Sequence, residues 1–146
     1  MREISFRGKR VDNGEWAVGY LTKRPSAIQI GYCSPWYISV PPRHPEDDGG
    51  FYNVAPDTVG QYTGLKDKNG KKIFEGDIVR ASWHAPRRDT VYEVYEVVYS
   101  KSGFFMKRNG KLMGQVSNYI SPNVNMRCEI IGNIHDNPEL IGGADV

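Results

Sequence analysis

The dipeptide Asn-Gly occurs three times in this chain, at residues 13–14, 69–70 and 109–110. The segments around each copy alternate or are short and β-prone: "EISFRGKR" and "EWAVGYL", then "YTGL" and "KIF", then "FFMKR" and "KLMGQV". Asparagine and glycine both tolerate positive φ, which tight hairpin connections demand, and alternation with period two marks a half-buried strand. Three such signals within 146 residues are hard to reconcile with a helical bundle. Sixteen glycines, nine prolines and nine tyrosines favour short strands and turns in the same way.

Around these turns the rest of the chain reads as further strands. Trp16, Val18 and Tyr20 share one face of the strand returning from the first turn. "AIQIGYC" and "WYISV" are two strands parted by Ser34-Pro35, because proline stops ladder pairing. "PPRHPEDDGG" is a loop and "FYNV" a short strand, and "PDTVGQYTG" resumes extended backbone. Gly76-Asp77 turns the chain into "IVRASW", "HAPRRD" is a loop, and "TVYEVYEVVYS" is the longest strand. "NYISPNVNM" is a loop or a single helical turn, "RCEIIGNIH" the last strand and "DNPEL" a turn. The expected fold is mainly β, on the border of the α+β class. An N-terminal β-hairpin subdomain with a variable loop occupies residues 1–56. A small antiparallel barrel of SH3-like type occupies residues 57–146.

Charge excludes little. Nineteen basic and seventeen acidic side chains leave a net charge of +2, too balanced to indicate nucleic acid by itself. Cys33 and Cys128 form no CxxC pair, which fits a reduced cytoplasmic protein best, with a disulfide between them as the alternative. Met1-Arg2-Glu3 leads straight into an alternating segment, so no leader peptide is expected. No apolar run approaches the roughly 20 residues that span a bilayer, so no membrane is expected as a partner.

Four groups of residues carry chemistry worth weighing. Lys66, Lys68, Lys71 and Lys72 surround the second Asn-Gly. The spacing is not that of a nucleotide P-loop and no long helix follows, so the segment reads as a solvated hairpin tip, with anion contact as the alternative. His44, His84 and His135 lie outside metal spacing of one another and of either cysteine, so no metal and no cofactor are expected. Glu75, Asp77 and the Glu46–Asp48 run are the carboxylates a small hydrolase or nuclease would use, but Asp77 more simply binds backbone N–H groups in its own turn. Tyr92, Tyr95, Tyr99, Phe104 and Phe105 fall on or beside one hairpin. Most belong to the core, and a remainder beside Arg87, Arg88, Lys107 and Arg108 would suit stacking and phosphate contact with single-stranded nucleic acid.

Three blocks, "REISFRG", "QYTGLKDKNGKKIFEGDIV" and "EIIGNIHDNPEL", resemble the YopX family of phage and prophage proteins, in that order along the chain. The middle block is the most specific, and residues 24–56 are outside the resemblance. The resemblance implies a small β-rich or α+β protein with no established activity and no catalytic residues to carry over, and it makes self-association an expectation. The expected function is that of a non-enzymatic, phage- or prophage-derived accessory protein in the bacterial cytoplasm. It would act by binding, as a homo-oligomer, with nucleic acid or a host or phage protein as its partner. The candidate contact residues are Arg87, Arg88, Tyr92, Lys107, Arg108, Lys66, Lys68, Lys71 and Lys72.

Overall fold

A computed structural model describes residues 3–23, 35–42, 46, 49–84, 89–101, 103–120 and 126–142. The chain divides into two compact units, Met1–Tyr62 and Thr63–Val146. The segment "AIQIGYC" lies outside the described residues.

The first unit is an antiparallel sheet of β1 (Phe6–Lys9), β2 (Trp16–Lys23), β3 (Trp36–Val40), β4 (Gly50–Asn53) and the first half of β5 (Gly60–Lys66), in the order β4-β3-β2-β1-β5. Register sets its two faces. Gly8 opposite Ala17 and Leu21 opposite Ile38 place one set of side chains inward, where Ala17, Ile38 and Val54 are buried among Phe6, Trp36 and Tyr52. Trp16, Val18 and Tyr20 do share a face, and it is the outward one: Tyr20 is 63% exposed. "PDT" is not extended. Pro56–Thr58 forms a single 3-10 turn, begun by the preset φ of proline and held by the Thr58 N–H and hydroxyl, which both donate to Ala55 O.

The second unit begins with the rest of β5 and its partner β6 (Lys72–Phe74). It continues through β7 (Asp77–His84), β8 (Thr90–Ser100), β9 (Gly103–Arg108), β10 (Lys111–Gln115), α1 (Ser117–Ile120), β11 (Met126–Asn133) and α2 (Glu139–Gly142). The helices are single turns, so the fold is mainly β. Five strands form one antiparallel sheet in the order β10-β9-β8-β7-β11. Its core holds Ile73, Val79, Ala81, Tyr95, Val97, Met106, Val116 and Cys128.

The expected SH3-like barrel is not found, because this sheet is open among the described residues. The reason lies at β11. One edge of that strand pairs with β7, and the other is taken by a turn instead of a strand: Lys68 N–H donates to Cys128 O at 2.9 Å, and Ile130 N–H donates to Asp67 Oδ2 at 3.0 Å.

The three Asn-Gly sites all connect paired strands, but with three different loops. Asn109 (φ 53) and Gly110 (φ 77) both adopt positive φ between the paired Arg108 and Lys111, which is a two-residue type I′ turn. At the second site only Gly70 is positive, Gly70 N–H donates to Asp67 O, and Asp67 N–H donates to Lys71 O. That pattern is a three-residue loop with a glycine bulge. At the first, only Gly14 is positive, Gly14 N–H donates to Arg10 O, and Arg10 N–H closes on Glu15 O, so the loop holds four residues. The lysine-rich middle block is therefore a hairpin.

Candidate functional site

In an antiparallel sheet, side chains directly opposite one another share a face, and steps of two along a strand stay on it. β7 runs between β8 and β11, with Ser82 opposite both Tyr92 and Arg127, and Arg80 opposite both Val94 and Glu129. The alternate residues Val79 and Ala81 are fully buried on the core side. The sheet therefore presents Arg80, Ser82, Tyr92, Arg127 and Glu129 together on its other face.

This face carries an open groove of about 400 Å³. Arg80, Ser82 and Trp83 of β7 line it with Thr90 and Tyr92 of β8, Arg127 and Glu129 of β11, and Lys68 of the β5–β6 turn. Among the described residues, three cations face one carboxylate. Glu129 Oε2 lies 3.4 Å from Lys68 Nζ and 3.1 Å from Arg80 Nη2. The Arg80 guanidinium also sits 5.2 Å from the ring centroid of Tyr92, within cation–π range. Tyr92 itself is 59% exposed, a large ring held at its foot by a charged neighbour with its other surface in water.

The cation from the turn is placed by Asp67, which is buried. Its Oδ1 accepts the N–H groups of Asn69 and Lys71, both at 2.9 Å, and its Oδ2 accepts that of Ile130. These bonds fix the loop against β11 and set Lys68 over the groove. A smaller hollow of about 290 Å³ adjoins, lined by Lys66, Asp67, Lys68, Ile120, Arg127 and Cys128. Burial, and next the charge of Asp67, push the Cys128 thiol up to about 11, and its Sγ lies 3.5 Å from Tyr119 O.

Of the expected contact residues, the groove gathers Lys68 and Tyr92, and the adjoining hollow adds Lys66. Lys71 and Lys72 line neither. Lys107 shares the groove's face but stands on β9 opposite Glu96, two strands from β7. Arg108 faces the other side, where its Nη1 lies 3.1 Å from Glu93 Oε2, and that same oxygen accepts the Tyr95 hydroxyl at 2.7 Å. Burial first, then that hydrogen bond, hold the Tyr95 phenol well above its usual range. Arg87 and Arg88 lie outside the described residues. Arg80, Arg127 and Glu129 were not anticipated. Their signal is a charged residue set between apolar neighbours, in "IVRAS" and "RCEII", which marks the solvent face of a strand but not its partner.

The aromatics divide. Tyr95 is core, at 3% exposure, and meets Tyr119 edge-on at 5.3 Å, while Tyr99 covers Phe104 at 5.2 Å and stays half exposed. Asp77 is 1% exposed and its Oδ2 accepts Phe74 N–H at 2.7 Å, as a turn aspartate does. Glu75 lines neither hollow. Among the described residues no three His, Cys, Asp or Glu side chains gather where they would hold a metal ion, and no helix is long and apolar enough to cross a membrane.

No curated protein matches the chain. It is similar to the crystal structure of protein EF1440 from Enterococcus faecalis, at 25% identity and a TM-score of 0.51, over 97% of this chain and 99% of that one. The family model described as "YopX protein" matches residues 6–142, nearly the whole length. With the three sequence blocks in order and that match end to end, the chain belongs to the YopX family.

Proposed function

We propose that this protein is a non-enzymatic accessory protein of phage or prophage origin, and that it acts in the bacterial cytoplasm by binding single-stranded nucleic acid through the groove on the β8-β7-β11 face. One observation carries this: Lys68, Arg80 and Arg127, from three separate elements, converge beside an exposed tyrosine with a single carboxylate among the described residues there. Cations track a phosphate backbone, and an exposed ring stacks on any base. The groove is open and, among the described residues, its one carboxylate is tied to two cations, which supports a surface for binding over one for acid–base chemistry. Self-association belongs to the same proposal, and light scattering on the purified chain tests it: a monomer at all concentrations removes it.

Titration of labelled oligothymidylate into the protein over a range of salt tests the ligand. Arg127→Ala should weaken binding and lower the salt slope by about 0.7, the share of one contact on a single strand. Tyr92→Ala should cost about 1–3 kcal/mol with little change in slope. No binding at low salt, or equal affinity for polyglutamate, would overturn the assignment in favour of no polyanion or of an acidic protein.

A further inference from the structure

We infer that the bound strand does not end in the groove but passes between Lys68, at the start of the β5–β6 loop, and Arg127 and continues into the adjoining hollow, so that the site takes an extended polyanion of several phosphates. This rests on the groove being the nucleic-acid surface. The two hollows share two walls, Lys68 and Arg127, so those cations form a saddle between them. Beyond the saddle the second hollow adds one more cation, Lys66, and the half-buried side chain of Ile120. Its only carboxylate among the described residues, Asp67, is turned inward to three backbone N–H groups. A single phosphate can be satisfied at the saddle alone. Only a strand that runs through both hollows meets Lys66 and Tyr92 together, and the apolar flank of Ile120 gives a sugar or base edge a dry surface at the far end.

The hairpin turn thus has a second consequence. The bonds of Asp67 that seat the loop also set the height of the saddle, so its backbone geometry positions two cations, Lys66 before it and Lys68 within it, on successive stretches of one path.

Length dependence separates this inference from the groove assignment. Labelled oligothymidylates of about four and about twelve nucleotides bracket the short and long cases. Each is titrated into the full chain and into Lys66→Ala, with Lys66→Gln as a second variant that keeps the aliphatic stem. Both variants should weaken the longer strand about three- to tenfold at low salt, reduce its salt slope by about 0.7, and leave the shorter strand unchanged. An equal loss on both lengths, or no loss on either while Arg80→Ala and Arg127→Ala still weaken both, overturns the path across the saddle and leaves the groove assignment standing. Failure of both lengths to bind the unaltered chain removes the two together.

Discussion

Asp67 and Ile130 stand 63 residues apart in sequence, and the amide of the second donates to the carboxylate of the first at 3.0 Å. That bond joins the hairpin loop to the last strand of the sheet. Two more amides, of Asn69 and Lys71, converge on the other carboxylate oxygen. Asp67→Ala leaves three amides without their charged acceptor and should destabilise the protein by about 2–4 kcal/mol. Asp67→Asn should lose about half of that, because an amide nitrogen cannot accept from Ile130. Urea unfolding of both variants measures this, and a loss under 1 kcal/mol for the alanine would show that water replaces the carboxylate at no cost.

Cys128 sets an alkaline limit. Burial, with the charge of Asp67, pushes its thiol from the usual 9.0 up to about 11, so the folded state holds its proton longer than the unfolded state does. The stability this contributes is complete below pH 9 and is lost as pH rises toward 11. Cys128→Ala should flatten stability across that window relative to the unaltered chain. In a Cys33→Ser background, the remaining thiol should react with a disulfide reagent far more slowly than a free cysteine at pH 8.

Glu129 competes with any anion for Lys68 and Arg80, since one of its oxygens faces both. Glu129→Gln should tighten oligonucleotide binding about two- to fivefold at low salt, and the gain should vanish as salt rises. The pair is partly exposed, so folding stability should change by under about 1 kcal/mol. Weaker binding by the variant would show that the carboxylate positions Arg80 rather than opposing the ligand.

Two glycines test backbone geometry in different ways. Gly110→Ala forces an alanine to hold φ 77 in the type I′ turn and should cost about 1 kcal/mol. Gly8→Ala brings a methyl group within 2.9 Å of Val54 Cβ in the core of the first unit, and should cost about 1–3 kcal/mol. Thermal unfolding separates the two, since the first disturbs a surface loop and the second the packing beneath the sheet.

The sequence made the strands legible and left their partners hidden. Alternation around "IVRAS" and "RCEII" locates two strands and marks Arg80 and Arg127 as solvent-facing. Nothing local says that Met126 pairs with Trp83, and only that long-range register brings the two arginines to one groove. The Asn-Gly pairs announced hairpins, but loop length depends on neighbours as well: Asp67 supplies a side-chain acceptor that favours the three-residue form, and Arg108 opposite Lys111 allows the two-residue one. The barrel was the expectation from a run of strands with short links, entered by the Gly76-Asp77 turn. Closure depends on a free edge at both ends of the sheet, and at β11 the hairpin loop uses the amide and carbonyl that a further strand would need. Lys107 and Arg108 looked like a pair because they are adjacent, yet successive residues of a strand point to opposite faces.

An unpaired strand edge is a template on which another chain can grow, the route by which β proteins aggregate. The loop seated on β11 acts as a stopper against that growth at one side of the five-stranded sheet. Among the described residues the other edge of this sheet is β10, where Lys111 and the break in register between Leu112 and Gly114 already work against a flat partner.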